Sequence, residues 1–100
     1  MTFVRVATYS VQPGASAEIT RRVNDTLAPL YREQAGFESL SIVDAGDYVV
    51  SISCWDSDEH AREGAEMAIA WVKQQADLLA GPPSTSHFGT EIVSIRSGSG

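Results

Sequence analysis

The run Gly36-Phe37-Glu38-Ser39-Leu40-Ser41-Ile42-Val43, the turn Asp44-Ala45-Gly46-Asp47 and the return Tyr48-Val49-Val50-Ser51-Ile52-Ser53-Cys54-Trp55 decide the fold. Two β-rich runs around a Gly/Asp turn predict a hairpin. Read at period two, Leu40 and Ile42 fall on one face, with Tyr48, Val50, Ile52 and Cys54 as the matching row. Phe37, Ser39, Ser41 and Val43, then Val49, Ser51, Ser53 and Trp55, fall on the other. Aromatics at the ends and serines in the middle of that second face suit the lining of a cavity.

Upstream, Phe3 to Val11 reads as a strand, with Val4, Val6 and Thr8 on one side and Phe3, Arg5, Ala7 and Tyr9 on the other. Pro13-Gly14 breaks it. Ser16 is the expected cap of a helix carrying Ile19, Val23, Leu27, Leu30 and Tyr31 at helical spacing. Pro29 predicts a kink or restart near Ala28, and Gly36 ends the helix. Downstream, Asp56-Ser57-Asp58-Glu59 starts a second helix, with Ala61, Ala65, Ala68, Ile69, Val72, Ala76 and Leu79 along one face. Gly64 interrupts that face at a cost of about 1 kcal/mol relative to Ala. Gly81-Pro82-Pro83 stops the helix, and His87 to Arg96 reads as the last strand. Residues 1–97 form one domain, and residues 98–100 a flexible tail.

The order β-α-β-β-α-β is the split βαβ, ferredoxin-like arrangement: an α+β fold with a four-stranded antiparallel sheet and two helices on one face. The face bearing Phe3, Tyr9, Phe37 and Trp55 is then expected to lack cover. Those four side chains amount to about 600–1,000 Å², above the roughly 300–600 Å² of the largest apolar patch on a typical monomer. A second copy, sheet against sheet, is the expected cover, giving a homodimer with a serine-lined interior.

The 100 residues carry 43% hydrophobic and 20% charged side chains, with a formal charge of −6. That balance suits a soluble globule and argues against nucleic acid and anionic membranes as partners. A single cysteine, Cys54, excludes an internal disulfide framework. The first residues lack the apolar core of a signal peptide, and no apolar run approaches a membrane span, so a cytoplasmic protein is expected.

The glycine-aromatic helix exit Gly36-Phe37, the hairpin ending in Trp55-Asp56-Ser57-Asp58-Glu59-His60-Ala61, and Gly81-Pro82-Pro83 before a last strand resemble the antibiotic-biosynthesis-monooxygenase-like superfamily of dimeric α+β barrels. The resemblance runs over nearly the whole chain. It implies a cofactor-free monooxygenase acting on a planar aromatic compound such as an anthrone, or a haem-degrading or non-catalytic relative. In the polyketide-oxidising branch an asparagine precedes the hairpin tryptophan by four residues, with a tyrosine six after it and an arginine about twenty after it. Trp55 is kept here, whereas Ser51, Ala61 and Gln75 stand at the other three positions. In the haem-degrading branch the expected tryptophan, histidine and asparagine positions fall on Gly64, Gln74 and near Ala7, so haem chemistry is not expected.

Each candidate residue has two readings. Trp55 is either a core aromatic or an indole laid over a planar ligand. His87 has the titration range of a general base, or is a surface residue, and His60 is expected to be solvated. Arg5 either makes a rim ion pair with an acid such as Glu91 or clamps an anionic ligand oxygen. Tyr9, Ser39, Ser41, Ser51 and Ser53 are expected to line the same chamber. Cys54 is expected to be a small buried hydrophobe. No metal-ligand spacing, phosphate loop or nucleophile elbow is present. Two functions follow: a cofactor-independent oxygenase with His87 and Trp55 as its catalytic residues, or a dimeric module that binds a hydrophobic or aromatic small molecule without turnover.

Overall fold

In a computed structural model, which describes residues 1–98, the hairpin forms as β2 (Phe37–Asp44) and β3 (Tyr48–Trp55). The Asp44 Oδ1 accepts from the Gly46 N–H at 3.0 Å, and Gly46 takes φ of +92°, which glycine adopts without a Cβ penalty. With β1 (Phe3–Ser10) and β4 (Thr85–Thr90) the hairpin makes one antiparallel sheet in the order β2-β3-β1-β4. This is the ferredoxin-like α+β architecture, with the helices on one face.

The first helical stretch is divided. Helix α1 (Ser16–Arg22) passes into one wide π-helical turn, Val23–Leu27, and α2 (Ala28–Glu33) follows. Pro29 supplies no N–H to the ladder, and the Ala28 N–H reaches back five residues to the Val23 carbonyl. The restart at Ala28 is where the proline placed it. The cap is not: Ala15 occupies that position without a side-chain bond, and Ser16 lies inside the helix.

Helix α3 (Asp58–Lys73) is capped by Ser57, whose hydroxyl accepts from the His60 N–H at 3.1 Å. Its buried residues, Ala61, Gly64, Ala65, Ala68, Trp71 and Val72, form one stripe. Most are small, which brings the helix axis close to the sheet. The helix ends at Lys73, so Ala76 and Leu79 lie beyond it; Leu79 instead bridges to Val11.

The two sheet faces are the reverse of the expected ones. Antiparallel partners share a face, and the register sets Phe3, Arg5, Ala7 and Tyr9 opposite Trp55, Ser53, Ser51 and Val49. These residues face the helices and are buried apart from Phe3, which packs on the core's edge. A β-bulge between Phe37 and Ser39 shifts the parity of β2, so Leu40 and Ile42 join this inner face beside Ser53 and Ser51. The outer face carries Val4, Val6, Val50, Ile52 and Cys54, with Ser39, Ser41 and Val43. The uncovered side is therefore aliphatic, and the Trp/Ser side lies inside the protomer.

The last strand also differs. It spans Thr85–Thr90 rather than His87 to Arg96, because its partner β1 begins at Phe3, opposite Thr90. Ile92 and Ile95 beyond it are 91% and 89% exposed. Gly98 of the expected tail carries no regular structure, and Ser99 and Gly100 lie outside the described residues.

Candidate functional site

Between α1, the π turn and α2 on one side and β2 and β3 on the other lies a cavity of about 350 Å³. That volume is at the small end of sites that take small organic ligands. Ile19, Tyr31, Phe37 and Leu40 form its apolar walls, and the exposed side chains of Thr20, Asn24, Arg32 and Asp44 stand at its mouth. A smaller void of about 30 Å³, the size of a single water, continues inward past Tyr31 to Tyr9, Ser51 and Trp71.

The inner wall is aromatic. The Tyr31 ring packs at 5.4 Å from Phe37 and 5.7 Å from Trp55, and Phe37 meets Trp55 edge-on at 5.5 Å. Trp55 donates its indole N–H to the Ser53 hydroxyl at 2.9 Å, which fixes the ring plane. Gly64 makes room for that ring: a Cβ there would overlap Cη2 and Cζ2 of Trp55. The interruption read in the helix is thus a seat for the tryptophan, and α3 runs through it unbroken.

Arg5 lies deeper, 1% exposed. Its Nη2 donates to the Tyr9 hydroxyl and its Nε to the Ser86 hydroxyl, both at 3.2 Å, and the guanidinium lies 6.0 Å from the Phe88 ring centroid. Among the described residues no carboxylate stands within ion-pair distance of it, so the expected rim pair with Glu91 is not formed. A buried guanidinium held by two neutral hydroxyls retains most of its capacity for an anion.

Five of the expected lining residues, Arg5, Tyr9, Ser51, Ser53 and Trp55, therefore share the inner face. Ser39, Ser41 and His87 do not join them. Ser39 and Ser41 pair with Cys54 and Ile52 on the outer face, and His87 pairs with Val6 there while its neighbour Phe88 pairs with Arg5. The sheet stands between His87 and Trp55, which corrects the single chamber expected from strand alternation. Cys54 is half-buried on the same outer row.

By spacing alone Tyr31 is one member of an apolar helical stripe. The available signal was a tyrosine on a face otherwise made of Ile19, Val23 and Leu27, since a buried phenol brings a hydroxyl that needs a use. Burial pushes its pKa up to about 12, with Arg5 pulling the other way. Gln75, at the position where the resemblance expected arginine, is buried and accepts from Arg22 Nη1 at 2.9 Å. Arg22 also pairs with Asp77 at 2.8 Å, tying α1 to the turn that follows α3. Among the described residues no group of three or more His, Cys, Asp or Glu side chains could hold a metal ion, and no helix is long and apolar enough to cross a membrane.

No family model and no curated protein matches the sequence. Solved structures do. A monooxygenase from the gene ActVA-Orf6 of Streptomyces coelicolor, solved in complex with nanaomycin D, superposes with a TM-score of 0.73 at 26% identity, covering 95% of this chain and 91% of that one. A candidate antibiotic biosynthesis monooxygenase from Bordetella bronchiseptica gives a TM-score of 0.73 at 20% identity over 92% of this chain and 98% of that one. This is the antibiotic-biosynthesis-monooxygenase fold. It also occurs in NE2512, a Nitrosomonas europaea protein of unknown function, at a TM-score of 0.74 and 15% identity over 96% of this chain and 94% of that one. The antibiotic-biosynthesis-monooxygenase fold thus settles the architecture, while the residues inside the cavity must carry the chemistry.

Proposed function

We propose that the chain binds a planar aromatic small molecule of polyketide or quinone type in the cavity behind β2 and β3, and oxidises it with molecular oxygen without a cofactor. The observation that carries this reading is the open cavity of about 350 Å³ walled by Tyr31 and Phe37, with Trp55 stacked behind them. The likeness to a monooxygenase solved with nanaomycin D supports it. In such chemistry the substrate anion is the electron donor to oxygen, and the protein supplies a dry site and groups that favour the anion. In this reading Tyr9 and Ser51, at the small void behind Tyr31, with Arg5 bonded to Tyr9 and Ser53 bonded to Trp55, form the polar group behind the cavity wall, and Trp55 braces the Tyr31 and Phe37 rings against which the substrate lies. His87 has no part in it, because it lies on the other side of the sheet.

A second reading is a non-catalytic binding module. It is favoured by Ser51, Ala61 and Gln75 at the polar positions of the oxygenase branch, and by the lining of the larger cavity, where Asp44 at the mouth is the one carboxylate. The outer row of Val4, Val6, Val50 and Ile52 has no cover among the described residues, and a second copy packed sheet against sheet would supply it. The homodimer is therefore part of either reading, as is a cytoplasmic setting.

Oxygen uptake on adding an anthrone or hydroquinone, together with fluorescence titration by a stable quinone, separates the two readings. Uptake that falls in Trp55→Phe supports the oxygenase. Quinone binding without uptake selects the binding module, and no binding at all ends both.

A further inference from the structure

Two phenols reach the interior behind the hairpin, and they are not equivalent. The Tyr9 hydroxyl is engaged by Arg5 at 3.2 Å. The Tyr31 hydroxyl makes no hydrogen bond to any described residue, although Tyr31 is 1% exposed. Among the described residues no polar side-chain atom is both sealed off and unpartnered, so the little exposure that Tyr31 has must reach its oxygen. Tyr31 is also shared by the large cavity and the small void behind it, at their junction. A phenol retained at such a place without a partner is a donor waiting for an acceptor.

We infer that Tyr31 selects the ligand: its O–H donates to an oxygen in the plane of the aromatic system, a ring carbonyl or phenolate, and so favours quinoid compounds over hydrocarbons of the same shape. The inference rests on the cavity being the ligand site. Phe37 and Trp55, in contact with each other, both pack against the Tyr31 ring and restrict its movement. With its pKa pushed up to about 12, the group remains a neutral donor across the working pH range. No carboxylate or histidine is among the residues lining the void at that end, and the Tyr9 hydroxyl there is already engaged by Arg5.

Anthraquinone-2-sulfonate and anthracene-2-sulfonate share three fused rings and one sulfonate and differ in the two ring carbonyls. In a tryptophan-fluorescence titration the wild-type protein is expected to bind the quinone about tenfold more tightly, in line with one additional hydrogen bond. Tyr31→Phe should bring the quinone down to the hydrocarbon's affinity and leave the hydrocarbon unchanged. Its thermal midpoint should not fall, because the hydroxyl has no protein partner to lose. In the wild type alone, the infrared carbonyl band of the bound quinone should move to lower wavenumber.

Equal affinity for the two probes, an unshifted carbonyl band, or a preference that survives in Tyr31→Phe overturns the role of Tyr31 and leaves the cavity reading standing. A lower thermal midpoint in Tyr31→Phe also overturns it, since the hydroxyl would then be structural. If neither probe binds the wild type, the cavity reading fails and the inference falls with it.

Discussion

The indole of Trp55 rests on the bare backbone of Gly64, nearly two turns into α3, and this contact sets how closely that helix lies on the sheet. Two effects of Gly64→Ala oppose each other. Alanine favours the helix by about 1 kcal/mol. Its methyl would overlap the indole, and overpacking of this kind costs roughly 1–3 kcal/mol. The ring has no free side to move to, with Phe37 and Tyr31 against it, so the clash is expected to win. Denaturant unfolding should show net destabilisation of up to about 2 kcal/mol. A more stable variant would mean that the ring does not sit there.

Arg5→Met separates stability from binding. The guanidinium is buried with two neutral partners, and replacing such a charge by an apolar chain of similar volume is often neutral or stabilising by about 1–4 kcal/mol. The variant should unfold at the same or higher denaturant concentration. Its affinity for an aromatic anion should fall by about tenfold, because the buried positive charge behind the cavity wall is gone. Lower stability together with unchanged affinity would make Arg5 a structural residue.

His60 and Asp56 make a pH-dependent clasp at the start of α3, Nδ1 to Oδ1 at 2.6 Å. The Asp56 carboxylate raises the His60 pKa above its usual 6.5, and His60 lowers that of Asp56 below 3.8. The histidine's share of stability is complete below 6.5 and is lost as pH rises through the raised value. The aspartate's share is complete above 3.8 and is lost as pH falls through the lowered one. The thermal midpoint of His60→Gln should therefore lie furthest below wild type between those limits and converge with it in alkali. Added salt should shrink the gap, since Asp56 is exposed and His60 only half-buried. An NMR titration of His60 that gives an ordinary pKa would refute the clasp.

Ile52 lies on the aliphatic outer row, opposite Val6 of β1 and Ser41 of β2. Ile52→Glu should leave the protomer folded, with an unchanged far-ultraviolet spectrum, and convert the proposed pair into single chains on size-exclusion chromatography. Wild-type protein that already elutes as a single chain at micromolar concentration would remove the pair from the proposal.

Where local chemistry decides, the sequence was readable. Gly36 at φ +76° ends α2 and opens the hairpin, Pro29 restarts the helix, and Ser57 caps α3. Strand alternation failed at one residue. The bulge after Phe37 has no glycine or proline to announce it, yet it moves Leu40 and Ile42 to the other face. That shift gives the inner face enough apolar surface to take the helices, with the serines small enough to be packed beside it. The last strand is shorter than its residues suggest: Ile92, Val93 and Ile95 favour a strand wherever a partner exists, and β1 supplies none past Phe3. Arg5, Tyr9 and Trp55 were found as a group because one register row holds them, whereas His87 was linked to them by its chemistry alone.

The wide turn at Val23–Leu27 has a consequence for where Tyr31 ends up. Ile19, Val23, Leu27 and Tyr31 are spaced by fours, and in an unbroken α-helix each such step rotates the row by about 40° around the axis. Over three steps the tyrosine would have swung about a third of a revolution away from the sheet. The five-residue hydrogen bond from Ala28 to Val23 absorbs the surplus, and Ile19, Leu27 and Tyr31 all remain buried. Excising Asp25 would cut the step from Ile19 to Tyr31 by one residue, to about three ordinary helical turns, so the phenol should keep its place while the wide turn disappears.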